Sequence, residues 1–186
     1  MLEKEIEIPE GSDVIFEKDR LNAKGAKGEV SRMFRHPHIN LKVEKGKVTL
    51  TSAMERRKVK ATMGTWNAHI KNMFLGVAKG WKGELKLVYS HFPVKLKLEE
   101  NTFVIENFLG ERNPRSVPIP EDLKVEVDKN TIYVSGADKE RVGQLCARIE
   151  QTAKVKGYDR RIFQDGIYIT RKPYLEGECE RGKDES

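Results

Sequence analysis

The chain has 186 residues, 38% of them hydrophobic and 34% charged, with a formal net charge of +6 and an isoelectric point near 9.2. This is apolar enough to fold, but only around the small cores of one medium domain or two small ones. The basic balance favours a polyanionic partner such as nucleic acid or an anionic membrane surface, while no stretch approaches the roughly 18 uninterrupted apolar residues of a membrane span.

The N-terminus, Met1-Leu2-Glu3-Lys4-Glu5, lacks the basic start and apolar run of a signal peptide, so a soluble cytoplasmic protein is expected. Residues 1–19 carry seven acids against Lys4 and Lys18; residues 20–80 carry fourteen Lys/Arg against Glu29, Glu44 and Glu55; residues 81–186 carry nineteen of each sign. Most of the positive field therefore belongs to the first half. Val14-Ile15-Phe16 and Val30 read as strand material. Asn22-Ala23-Lys24-Gly25-Ala26-Lys27-Gly28 superficially resembles a phosphate loop but lacks the closing Gly-Lys-Ser/Thr, and reads as a flexible basic hairpin. His36-Pro37-His38 has no cysteine or paired acid to complete a metal site, and no metal or cofactor is expected.

Ile39 to Thr51 alternates apolar and polar residues on both sides of Glu44-Lys45-Gly46, which predicts a β-hairpin with Gly46 supplying a positive φ. Val59, Met63, Trp66, Ile70, Phe74 and Val77 then recur at helical spacing, with Arg57, Lys58, Lys60 and Lys71 on the opposite side and Gly80 as the stop. Met63 and Trp66 read as core. Gly80-Trp81-Lys82-Gly83 marks a boundary, giving a first domain over 1–81 and a second over 82–173.

The second half repeats the scheme. Glu84 to Tyr89, Val94 to Leu98 and Phe103 to Ile105 read as strands. Leu123 to Ser135 restates the Ile39–Thr51 hairpin 84 positions later, with Asn130 expected at the positive-φ position. A second helix carries Val142, Leu145, Cys146, Ile149 and Ala153 on one face, with Asp138 as N-cap and Gly157 closing it. Cys146 in this stripe and Cys179 near the end are too far apart for a disulfide framework and fit a reducing compartment. Residues 174–186 read as a flexible tail. Duplication predicts an α+β protein of two tandem domains, each an antiparallel β-sheet packed on one main α-helix.

No catalytic triad, nucleophile elbow or nucleotide fingerprint is present. What stands out instead is basic loops mixed with glycine, proline and aromatic residues: Ser90 to Pro93, Gly110 to Arg115, and Lys154 through Lys172. Arginine grips phosphate bidentately, and rings stack on unpaired bases. The expected RNA contacts are Arg112, Arg115, Lys154, Lys156, Arg160, Arg161, Arg171 and Lys172, with His91 and Tyr158 as weaker sugar or base contacts. Gly110, Gly157 and Gly166 are expected to shape the loops. Two rival readings are a protein-interaction module using a sheet edge, and a small modifying enzyme, for which His91 beside a carboxylate is the place to look.

The run from Gln151 through Gly157-Tyr158-Asp159-Arg160-Arg161-Ile162-Phe163-Gln164-Asp165-Gly166 to Ile169 resembles the C-terminal signature of the large-subunit ribosomal protein six family, in its archaeal and eukaryotic branch. Met73 to Val77, Ser90 to Pro93 and Asn107 to Arg112 match in order, so the resemblance covers nearly residues 1–173. Tyr158 departs from it, standing where the family commonly has a basic residue. The resemblance implies a non-enzymatic two-domain protein of the cytoplasmic ribosome whose second domain and C-terminal segment contact large-subunit ribosomal RNA near the landing site of translational GTPases. Neighbouring ribosomal proteins, and those GTPases in passing, would be the other partners.

Overall fold

The computed structural model describes residues 2–9, 11–44, 46–159 and 161–177. Arg160 and the tail from residue 178, including Cys179, lie outside the described residues. The chain divides into two compact units, Met1–Gly80 and Trp81–Ser186. Trp81, placed by sequence at the end of the first domain, opens the first strand of the second unit.

Each unit has the same succession of elements. The first runs β1 (Leu2–Glu7), β2 (Asp13–Glu17), β3 (Arg20–Gly25), β4 (Gly28–Met33), β5 (Asn40–Glu44), β6 (Lys47–Ser52) and α1 (Arg57–Lys79). The second runs β7 (Trp81–Val88), β8 (Lys95–Glu99), β9 (Thr102–Glu106), β10 (Arg115–Pro118), β11 (Leu123–Asp128), β12 (Thr131–Gly136) and α2 (Lys139–Thr152), then adds β13 (Gly166–Leu175). Pairing repeats as well: β6 lies between β5 and β1, and β12 between β11 and β7, while β2-β3-β4 and β8-β9-β10 are antiparallel meanders. The duplicated α+β plan holds, with each unit carrying two sheets where the sequence suggested one.

The predicted hairpins form where alternation placed them. Leu41 faces Leu50 and Val43 faces Val48 in the first; Val125 faces Val134 and Val127 faces Ile132 in the second. Gly46 has the expected φ of +89°, but in the second hairpin the left-handed residue is Lys129, at φ +50°, rather than Asn130. β1 was missed: Leu2-Glu3-Lys4-Glu5-Ile6-Glu7 is mostly charged, yet Ile6 drops into the core opposite Val48.

α1 buries Val59, Met63, Ile70, Met73, Phe74 and Val77 on one side. Fully covering side chains of this size stabilises by about 1.5–3 kcal/mol each. Trp66 is only half-buried, meeting Phe34 edge-on at 5.2 Å. Gly80 ends the helix as expected, with φ +85° and its N–H bonded to the Gly76 carbonyl. The Lys24–Gly28 hairpin is held rather than loose: Lys27 N–H bonds the Val77 carbonyl at 3.0 Å, and a Cβ on Gly25 would stand 2.7 Å from that same oxygen. Because the obstacle is helix backbone, Gly25→Ala is expected to destabilise the first unit by about 1–3 kcal/mol. A lowered urea midpoint with unchanged slope is the readout.

α2 buries Val142, Leu145, Cys146 and Ile149 against the four-stranded sheet β11-β12-β7-β13. Asp138 caps it through the Glu140 N–H. Burial pushes the Cys146 thiol up to about 11. The helix stops at Thr152, before Gly157, and β13 runs through Tyr174 and Leu175, which the sequence reading had assigned to the tail. β13 is an edge strand with register shifts between Ile169 and Arg171 and between Arg171 and Tyr174.

Candidate nucleic-acid interface

Two loops of the second unit are fastened together by a single buried carboxylate. Asp165, 2% exposed, accepts hydrogen bonds from the Ser90 N–H at 3.1 Å, the Ser90 hydroxyl at 3.1 Å and the His91 N–H at 3.3 Å. The His91 Nδ1 lies 3.2 Å from its Oδ1. Burial alone would raise this carboxyl. The His91 ring, the two backbone N–H groups and the Ser90 hydroxyl together outweigh that and hold it below the usual aspartate range.

Above the carboxylate three rings stand in a row. His91 lies against Phe163 at 4.3 Å with 30° between planes, and Phe163 against Tyr158 at 4.7 Å and 45°. Asp159 turns the chain beneath them: its carbonyl accepts from the Ile162 and Phe163 N–H groups, and its side chain from the Arg161 N–H at 2.9 Å. The Lys154–Gln164 segment, irregular in backbone, is thus anchored at both ends and in its middle.

Arg115 forms the second fastening. Its Nε and Nη2 grip the Glu111 carboxylate at 2.8 and 2.5 Å, its Nη1 donates to the carbonyls of Thr152 (2.6 Å) and Lys154 (2.9 Å), and the guanidinium stacks over Phe108 at 4.4 Å. This fork closes the C-terminal end of α2, the task that sequence assigned to Gly157. Gly157 does take a left-handed φ of +79°, but in the turn beyond. The Arg115 hydrogen bond holds the Glu111 carboxyl below its ordinary value. Arg115 was expected to face phosphate. Here its donors reach the Glu111 carboxylate and the Thr152 and Lys154 carbonyls.

The other expected contacts divide by place. Lys154, Lys156, Tyr158 and Arg161 are exposed on the Lys154–Gln164 segment, Arg112 is exposed on the loop before β10, and His91 sits on the loop clamped by Asp165. Gly110 shapes its loop with φ +76°, whereas Gly166 is the first residue of β13, where a Cβ would press on the Tyr168 ring at 3.2 Å. Arg171 and Lys172 lie farther along β13, about 17 and about 20 Å from Gly166 at strand rise. Arg171 stacks over Tyr174 at 5.4 Å, and Lys172 is exposed. Sequence reasoning missed Arg148. This exposed α2 residue lines a groove of about 600 Å³ with Arg115, Gln151 and Lys156. A basic residue on the outer face of the helix, four positions before Thr152, was the available signal.

The sequence profile of the family described as Ribosomal protein L6 matches residues 8–80 and 92–166, one segment in each unit. The chain belongs to the ribosomal protein L6 family. Among L6 relatives, the large ribosomal subunit protein uL6 of Methanosarcina mazei is 48% identical over 167 residues, covering 90% of this chain and 95% of its own. The uL6 of Haloarcula marismortui is 45% identical, covering 91% and 95%, and that of Methanobrevibacter smithii 43%, covering 92% and 96%. L6 proteins are structural, non-enzymatic components. Ser90, His91 and Asp165 therefore serve as a clamp between loops, despite bringing a hydroxyl, an imidazole and a carboxylate together.

Proposed function

We propose that the chain is a structural constituent of the large subunit of the cytoplasmic ribosome, binding ribosomal RNA through the fastened loops of its second unit close to where translational GTPases land. The observation that carries this reading is the anchored Lys154–Gln164 segment, which presents Lys154, Lys156 and Arg161 on a backbone held by Asp165, Phe163 and Arg115. A backbone already held lets these cations displace counterions from RNA phosphates without the segment having to be ordered on binding. Tyr158, exposed at the end of the ring stack, can continue that stack onto a base. Arg112 and Lys172 extend the basic surface, and Arg171 adds to it from β13. The placement beside the GTPase site and the neighbouring ribosomal proteins follow from the family relationship.

Replacing Arg160 and Arg161 together with glutamine is expected to reduce affinity for large-subunit ribosomal RNA at least ~10-fold near physiological salt, with the melting temperature unchanged. It should also flatten the log–log salt dependence by about 1.5, some 0.7–0.9 for each lost phosphate contact. Filter binding across a salt series measures both. Wild-type affinity and slope in the double variant would overturn the reading.

A further inference from the structure

We infer that the solvent face of α1, in the first unit, is a second contact surface for RNA, taking the sugar–phosphate backbone of a double helix. This goes beyond the C-terminal interface and uses none of its residues, though it rests on reading the chain as an RNA binder.

The observation is charge that no acid within the helix compensates, although the Glu55 carboxylate just ahead of it feels Lys60. Over its 23 residues α1 contains no acid, while Arg57, Lys58, Lys60, Lys71 and Lys79 are all exposed. Among the described residues none of these five forms an ion pair. Three of them crowd the first turn, where the helix dipole disfavours cations. The duplicated helix offers a comparison: α2 begins with Asp138 as cap and Glu140 in its first turn, and it mixes both signs along its length. The two helices hold the same place in the duplicated order of elements and differ in this outer face.

Geometry supports a flat polyanion. At 100° per residue, Arg57, Ala61, Gly64, Ala68 and Lys79 fall within about 60° of one another, opposite the buried Val59–Val77 stripe, with Lys60 and Lys71 along one flank. The uncharged residues of this face between Arg57 and Lys71 are Ala61, Gly64, Thr65 and Ala68, so over that stretch nothing bulky holds the helix away from a surface; the half-buried Leu75 shares the face near its far end. A protein partner would need aromatic or aliphatic anchors at the centre of the patch, and these small side chains supply none. A-form RNA offers a wide, shallow minor groove lined by phosphates and 2′-hydroxyls. Cations spread over about 33 Å of helix fit that better than a compact acidic site. At the far end, the Lys27 N–H bond to the Val77 carbonyl brings the hairpin carrying Lys24 and Lys27 to the last turns of the helix, where Lys79 stands.

The test uses the full chain and an in vitro transcript of large-subunit ribosomal RNA. Lys58→Gln, Lys60→Gln and Lys71→Gln are combined, since glutamine matches lysine in helix propensity. A control removes the same charge from exposed Lys95, Lys124 and Lys129. The α1 triple is expected to bind about 10-fold more weakly and to flatten the salt slope by about two, with circular dichroism unchanged and the control near wild type. Amine-reactive labelling should find Lys58, Lys60 and Lys71 protected by RNA alone. Wild-type slope in the α1 triple, an equal loss in the control, or protection seen only in complete subunits would each overturn the inference, the last by assigning the face to a protein. The Arg160/Arg161 variant measured alongside separates the two readings: if it loses affinity while the α1 triple does not, only the α1 surface falls.

Discussion

Arg115→Ala is expected to destabilise the second unit by about 2–4 kcal/mol and to lower its melting temperature by about 10–20 °C. The side chain is 15% exposed and serves four partners at once: the Glu111 carboxylate, the Thr152 and Lys154 carbonyls, and the Phe108 ring. Truncation leaves two carbonyls at the end of α2 without their donor and frees Lys154 to wander. RNA affinity should fall with stability, through lost positioning. Arg115→Lys should recover only part of the loss, because one ammonium cannot serve a carboxylate fork and two carbonyls together. The Glu111 carboxyl is depressed by this pairing, so its contribution is present above the ordinary glutamate range and fades as pH falls through the lower folded-state value. Thermal melts at pH 7 check the variant. An Arg115→Ala protein that loses RNA binding at unchanged melting temperature would restore the phosphate-contact role expected from sequence.

Asp165→Ala should cost about 2–4 kcal/mol, and Asp165→Asn nearly as much despite its shape. Ser90 N–H, Ser90 hydroxyl and His91 N–H all donate into this carboxylate, and an amide replaces one of its acceptor oxygens with a donor aimed at donors. The loops should separate, and with them the His91–Phe163–Tyr158 row. Acid behaviour gives a second readout. The folded carboxyl lies below its unfolded value near 3.9, so its stabilisation is complete above that range and is lost as pH descends through the folded value. Melting temperature plotted from pH 7 to pH 2.5 should therefore fall less steeply for Asp165→Asn than for the wild type, starting from a lower plateau. Parallel curves would show that the carboxylate charge is immaterial.

Regular alternation made the hairpins legible, because one buried face imposes period two on Leu41-Lys42-Val43 and Val125-Glu126-Val127 alike. The same logic failed at β1, where a single deeply buried residue, Ile6, supplies the apolar signal and the pairing with β6 spans more than forty residues. Turn chemistry was read from composition, and the left-handed residue moved from Asn130 to Lys129 within an otherwise correct turn. At the interface, residue types were visible and their partners were not. Nothing local announces that Arg115 will meet the Thr152 and Lys154 carbonyls, 37 and 39 positions on, or that Ser90 and His91 will share Asp165, 75 and 74 positions away. A side chain chosen for charge can be spent on structure, and only the tertiary fold decides which.

The interrupted course of β13 bears on the time before assembly. Ten residues of edge strand would ordinarily offer a rail of unpaired amide and carbonyl groups to a second copy of the chain. Two breaks in register twist that rail, and Pro173 removes one of its donors. Both features are of the kind that make an edge a poor template for a second copy of the chain, so β13 should resist edge-to-edge pairing while the protein is free.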